Sequence, residues 1–212
     1  GAGTGESYVK LNVSGALSDS GTNTFAGYNS GNNLANGAVE NAFYGYGTGF
    51  ATTTGDNNAF FGSLAGYNNT TGGNNVALGR DAGRFNVSSN NNTSIGDQAL
   101  RLNTAANNTG VGALALAANT SGASNAAFGK DALTGNTTGG DNTSLGFEAG
   151  KACTTASGNT FVGNRCANTV TTSGDNTALG ADAFRNGTGS GSTAIGHSAL
   201  KAYTGDSAVA VG

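Results

Sequence analysis

The sequence predicts an all-β protein, a parallel β-solenoid (β-roll) of about 12 rungs with a repeat of about 17 residues. Three observations predict it: a short unit recurs almost from end to end, each unit closes on a glycine, and turn-rich segments separate the units. The twelve closing glycines are 16 to 18 residues apart. So regular a period is typical of architectures in which each repeat forms one structural turn.

The composition argues against several other classes. The 212 residues include 38 glycines, no proline and only 10% charged residues. Disordered chains are usually rich in charge and proline, and coiled coils in Leu, Glu and Lys. No apolar run approaches the roughly 18 residues of a membrane span, so we expect no membrane insertion in this segment. A formal net charge of −3 provides no basic field, so we expect no nucleic-acid partner.

Each unit has five residues, usually Asn, a small or β-branched residue, a small residue, a large apolar residue and the closing Gly. Because side chains alternate along a strand, we assign the large residue to the inner face. These large residues are Tyr44, Phe61, Leu78, Ile95, Val111, Phe128, Leu145, Val162, Leu179, Ile195 and Val211. The middle residue then points outward, and we expect a possible oligomer face at Phe25, Phe43, Phe60 and Phe161. The alternative is a plain surface of small side chains.

A second apolar segment follows each closing glycine. Three residues after it stands a column that is mostly Ala, including Ala65, Ala82 and Ala99, and Cys166 belongs to this column. Seventeen residues suffice for two strands of four or five residues and two corners, with the Ala column facing the core. We expect Cys166 and Cys153 to be small buried thiols rather than a disulfide.

Two polar columns are predicted to run along the rod. The first is a structural Asn ladder, in which each amide bonds to like amides above and below; it comprises Asn23, Asn41, Asn58, Asn75, Asn92, Asn108, Asn125, Asn142, Asn159 and Asn176. The second is either a corner ladder or an exposed Thr array, formed by Thr53, Thr70, Thr104, Thr120, Thr137, Thr154, Thr171, Thr188 and Thr204.

Two segments complete the organisation. Residues 1–20 break the period and are expected to form an N-terminal cap or connecting strand. Residues 21–212 form the solenoid domain, which we expect to continue beyond the last unit because open strand edges need a cap.

The charged and nucleophilic residues indicate little chemistry. Asp81 with Arg84, Glu148 with Lys151, and Asp182 with Arg185 are expected to pair on the surface. The only histidine, His197, follows a closing glycine and is expected to be an exposed turn residue. We therefore predict no catalytic residue, no metal site and no cofactor.

The units S192-T-A-I-G196 and A208-V-A-V-G212 resemble the head repeats of trimeric autotransporter adhesins. N176-T-A-L-G180 and N142-T-S-L-G146 are similar to Asn-rich repeats of phage and viral tail fibres. This resemblance covers residues 21–212. It implies a left-handed roll, a homotrimer, and an extracellular place on a cell surface or virion appendage. The chain departs from the adhesin heads in its longer repeat and in having Asn where they have Ser.

The favoured function is a structural or adhesive fibre segment that acts as a rigid spacer and binds a surface glycan or protein receptor through many weak contacts. An ice-binding β-solenoid is the alternative, because uncharged, regularly spaced Thr columns suit an ordered-water lattice. The orientation of the strand Thr column, predicted to be inward, disfavours it. A polysaccharide-processing enzyme on a β-solenoid is a third, less favoured interpretation.

Overall fold

The structure, a computed structural model, describes residues 23–35 and 37–212, so the predicted N-terminal cap at 1–20 lies outside the described residues. Within them, one parallel sheet contains twelve strands in chain order, and no helix occurs. The predicted all-β solenoid is therefore confirmed. The strands are β1 (Thr24–Ala26), β2 (Ala42–Tyr44), β3 (Ala59–Phe61), β4 (Val76–Leu78), β5 (Thr93–Ile95), β6 (Thr109–Val111), β7 (Ala126–Phe128), β8 (Thr143–Leu145), β9 (Thr160–Val162), β10 (Thr177–Leu179), β11 (Thr193–Ile195) and β12 (Val209–Val211).

Successive rungs stack in register. Phe43 of β2 lies beside Phe60 of β3, and the same correspondence holds between every pair of neighbouring strands. The turns are also joined from rung to rung, since the Gly66 amide donates to the Ala82 carbonyl at 3.0 Å. Hydrogen bonds therefore connect the rungs around the coil as well as across the sheet.

Each rung contains one strand of three residues, so the prediction of two strands per rung is wrong. The second apolar segment is a turn, because the residues two and four positions after the closing glycine have positive φ angles. In one rung these are Asp131 (φ 60°) and Leu133 (φ 48°). A left-handed backbone cannot continue an extended strand. The segment still closes the core, because its Ala column is buried, as at Ala132 and Ala149.

The strand faces are opposite to the prediction. The middle residue of each strand points into the coil: Phe43, Phe60 and Phe161 are at most 1% exposed, and Phe25 packs against the same core. The predicted oligomer face at these four phenylalanines is therefore wrong. The large residues before the closing glycines point outward instead, as Leu145 does at 51% exposure. The physical reason is that the Asn opening each unit is buried, and alternation then places the residue two positions later inside as well.

The interior of the coil is narrow, and the large side chain that fills a rung comes either from the strand or from the turn opposite it. Phe60 stands across the core from Gly66, where a Cβ atom would lie 2.4 Å from the Phe60 ring. Two rungs later the large side chain comes from the turn, where Leu100 is buried, and the strand residue of the same rung is the small Ser94. Rungs with Gly110 and Ala127 in the strand likewise carry a leucine in the turn. The core therefore has room for about one large side chain per rung in these places.

The closing glycine is required by the approach of the next rung. At Gly129, φ is 137°, and a Cβ atom would lie 2.4 Å from the carbonyl oxygen of Gly146. An L-residue would be strained by its backbone angle and would also collide with the neighbouring rung. This contact explains why glycine closes every unit.

Candidate functional site

The Asn column at the start of each unit forms a ladder that clamps neighbouring rungs. The Asn125 side-chain oxygen accepts the backbone N–H of Asn142 at 3.0 Å, and the Asn125 amide donates to the Gly139 carbonyl at 2.9 Å. Direct amide-to-amide bonds, which the sequence predicted, occur at some steps, such as Asn142 to Asn125 at 3.0 Å. The backbone is thus the more regular partner, and the column holds the coil together.

Sequence reasoning missed a second Asn ladder, seven residues after the closing glycine. Its members are buried and comprise Asn69, Asn86, Asn103, Asn119 and Asn136. Asn136 donates to the Asn119 side-chain oxygen at 2.8 Å and to the Gly139 carbonyl at 2.9 Å. The available signal was the recurrence of Asn one position before the Thr column. Both ladders serve the fold and leave few of their polar atoms at the surface.

The predicted Thr array runs along a corner and combines both alternatives that the sequence left open. Thr120 donates its hydroxyl to the Thr137 carbonyl at 2.9 Å, and seven of the nine threonines make this bond to the next rung. The column is also accessible, with Thr104, Thr120 and Thr171 exposed. It is therefore a corner ladder with an exposed edge.

The most extensive candidate surface is the outer face of β1 to β12, which we call the outer sheet face. It has two columns, the first and the third residue of every strand. The third column is large and apolar, with Leu78 at 48%, Leu145 at 51% and Leu179 at 47% exposure. Near one end it is aromatic, where the Tyr44 and Phe61 rings stack 4.9 Å apart. The first column holds Thr24, Thr93, Thr109, Thr143, Thr160, Thr177 and Thr193, with Ala or Val in the other strands.

No charged residue occurs in β1 to β12, so the outer sheet face is uncharged along its described length. Charges lie in the turn beside it, where the three predicted ion pairs are confirmed. Their closest N–O distances are 3.0 Å for Asp81–Arg84, 2.6 Å for Glu148–Lys151 and 3.3 Å for Asp182–Arg185. The hydrogen bond to Lys151 lowers the pKa of Glu148, and the same bond raises the pKa of Lys151.

The remaining reactive side chains form no common site. Cys153 and Cys166 are free and buried, as predicted, and burial raises the pKa of both thiols to about 12. His197 is exposed in its turn, also as predicted. In the described part of the chain, no group of three or more His, Cys, Asp or Glu side chains could hold a metal ion.

Comparison of the chain with protein-family models, curated proteins and solved structures gave no match. Among residues 23–35 and 37–212 there is no helix with the length and apolarity needed to cross a membrane.

Proposed function

We propose that this chain is a rigid, non-catalytic segment of an extracellular fibre or adhesin, assembled with copies of itself through the outer sheet face. The observation that carries the proposal is an uncharged, largely apolar stripe on a hydrogen-bonded rod. Monomeric proteins rarely expose contiguous apolar patches larger than a few hundred Å². A second copy offers the same rung spacing, so the side chains of two such stripes can interdigitate along their length.

The dimensions of the stripe suit a stable interface. Eleven strand-to-strand steps of about 4.8 Å give a length of about 53 Å, and two outward columns with their side chains span on the order of 12 Å. The resulting area of about 600 Å² per copy is comparable to the roughly 800 Å² that each partner buries in a standard interface. Three copies around one axis would bury the stripe on every subunit, and the resemblance to trimeric adhesin heads favours that number.

The test is the mass of the full chain in solution at micromolar concentration, measured by sedimentation equilibrium. We expect a trimer for the natural sequence and a monomer for the double variant Leu145→Lys, Leu179→Lys. Val87→Lys is the matched control, because Val87 is 45% exposed but stands outside the outer sheet face. A natural chain that sediments as a monomer would contradict the proposal, as would equal effects of the double variant and the control.

One observation favours ice binding as a second candidate. The strand Thr column, predicted to face inward, faces outward, and Thr143, Thr160 and Thr177 are exposed on consecutive rungs. Threonine methyls and hydroxyls spaced about 4.8 Å apart on a flat sheet could order water in a regular lattice. The two candidates use the same face. A monomer with thermal hysteresis that Thr160→Lys abolishes would favour ice binding, whereas an assembled chain with no hysteresis would favour the fibre segment.

A further inference from the structure

The repeat departs from its usual composition in one region. Five and six residues after the closing glycine, the rungs of β6 and β7 carry only Ala117 and Ala118, then Thr134 and Gly135. The rungs of β2 to β5 instead carry bulky side chains there, namely Phe50, Tyr67, Arg84, Phe85, Arg101 and Leu102. The rungs of β6 and β7 thus make the same turn without this bulk, and the rungs of β8 to β11 carry at most one long side chain there, such as Lys151 or Arg185. The fold therefore does not require it.

Five of these side chains contact one another in series along the rod. We call this series the arginine–aromatic stack; it comprises Phe50, Tyr67, Arg84, Phe85 and Arg101. The Phe50 and Tyr67 rings are parallel within 5° and 5.0 Å apart. The Arg84 Cζ atom lies 5.8 Å from the Tyr67 ring centre and 5.2 Å from that of Phe85, and the Arg101 Cζ atom lies 5.4 Å from the Phe85 centre. Cation–π contacts of this kind hold a guanidinium in a defined orientation while its N–H edge stays available.

The stack carries one uncompensated positive charge. Arg84 pairs with Asp81 at 3.0 Å, and Arg80 bridges Asp81 and Asp97. Arg101 makes no ion pair with any described residue. The cause is visible in the sequence, because the position three residues earlier holds Gln98. The equivalent positions before Lys151 and Arg185 hold the carboxylates that neutralise them.

Exposed hydroxyls lie near Arg101 on the same side of the coil. Thr104 belongs to its own rung and Thr120 to the next, and both are exposed. Their hydroxyls donate to backbone carbonyls, so the oxygens keep lone pairs that can accept hydrogen bonds. One fixed guanidinium beside an aromatic ring and hydroxyl groups matches a ligand with one carboxylate and several hydroxyls.

We propose that the arginine–aromatic stack binds the carboxylate of an acidic saccharide through Arg101. Guanidinium N–H groups bind carboxylates in a bidentate manner, with Arg101 as donor and both carboxylate oxygens as acceptors. The turn segment lies across the core from the strand, as the contact of Gly66 with Phe60 shows, so assembly through the outer sheet face leaves the site open. The inference rests on the proposed adhesive function and names the receptor chemistry for it.

The test is calorimetric titration of the full chain with sialyllactose and with trigalacturonate, using lactose and the methyl ester of trigalacturonate as neutral partners. We expect at least one carboxylated sugar to bind and its neutral partner not to bind. Arg101→Ala should weaken binding at least tenfold. Lys201→Ala is the matched control, since Lys201 is an exposed cation in the same column and should leave affinity unchanged.

Gln98→Glu provides a second variant that keeps Arg101 in place. It recreates the arrangement of Glu148 before Lys151, at a position with the same backbone conformation (φ 57° against 55°), and should neutralise Arg101 and weaken binding by a similar factor. Binding of neither acidic sugar, or equal losses in Arg101→Ala and Lys201→Ala, would overturn the proposal. Tighter binding of a single-stranded oligonucleotide than of either sugar would also overturn it. Sedimentation of the same variants shows separately whether the assembly itself is intact.

Discussion

The packing of the core is tested most sharply by transferring the large side chain of one rung from the strand to the turn on the opposite side of the core. Phe60→Ala removes a ring that is 1% exposed and stacked 5.0 Å from Phe43. Core Phe→Ala substitutions typically cost about 3–5 kcal/mol, because a cavity remains. We expect a loss of this size in the free energy of unfolding.

Gly66→Leu should then change sign with the background. With Phe60 present it is destabilising, since even a Cβ at residue 66 would lie 2.4 Å from the ring. With Ala at 60 the leucine enters the cavity, as Leu100, Leu116 and Leu133 do in their rungs. Filling the cavity should return about 2–5 kcal/mol, and the left-handed backbone costs about 1–2 kcal/mol. The net recovery expected is about 0–4 kcal/mol, with a midpoint of about 2 kcal/mol.

The assay is urea unfolding of the four members of this double-mutant cycle, followed by circular dichroism. Matching transitions from a second probe, such as tyrosine fluorescence, check that each variant unfolds in one cooperative step. If Gly66→Leu destabilises both backgrounds equally, the two walls do not share one space and the description of the core is wrong.

Three further predictions concern the closing glycines, the Asn ladder and the Cys166 thiol. Gly129→Ala should lower the free energy of unfolding by at least about 1–3 kcal/mol through its backbone angle alone. Gly83→Ala is the control and should cost about 1 kcal/mol, because a Cβ there meets no atom closer than 3.4 Å. Equal shifts in the melting temperatures of the two variants would contradict the close approach of the rungs at Gly129. Asn125→Ala should cost about 1–3 kcal/mol because it leaves the buried Asn142 N–H without a partner and removes one of the two amides that donate to the Gly139 carbonyl. Asn125→Ser should cost less, and equal losses for the two variants in chemical denaturation would contradict a role for the ladder. Burial in the folded chain raises the pKa of Cys166 to about 12, so its thiol stays protonated at pH values where the unfolded thiol ionises. The free energy of unfolding should therefore fall as the pH rises above about 8.5. Cys166→Ala should reduce that pH dependence in thermal melts between pH 7 and 10.

The sequence was sufficient to predict the period, the stacking and the inward Ala column, because all three depend on residues repeating at fixed spacing. It also predicted the local ion pairs, such as Asp81–Arg84, since those partners are three residues apart in one turn. These features are short-range or strictly periodic, so a single chain displays them directly.

The strand faces could not be predicted from hydrophobicity alone. The rule that large apolar residues lie inside favours Leu145 over Ser144, yet the coil is too narrow to hold a large residue from both walls in every rung. Residue size was the better guide to which strand face is inside. The middle residues of the strands are mostly Ala, Ser and Gly, which fit a narrow interior. The second strand was also mispredicted, since Leu133 in a left-handed conformation looks like an ordinary strand residue in the sequence.

The arginine–aromatic stack was not identified from the sequence because it depends on neighbouring rungs. Arg84 and Phe85 are adjacent in the chain, but Arg101 reaches the Phe85 ring only when the rungs are stacked. The absence of a carboxylate before Arg101 gains meaning only by comparison with the Glu148–Lys151 pair in the same turn of another rung.

The most direct test of self-assembly through the outer sheet face is a distance between copies. A spin label on Thr143→Cys lies beside the apolar column, and one on Thr171→Cys lies on the corner away from it; the two buried native thiols should not react under the same conditions. If copies pack through the outer sheet face, the label at 143 should show a short intermolecular distance that is lost on dilution with unlabelled chain, and the label at 171 should show a longer one. Equal distances at both positions, or none at either, would contradict it.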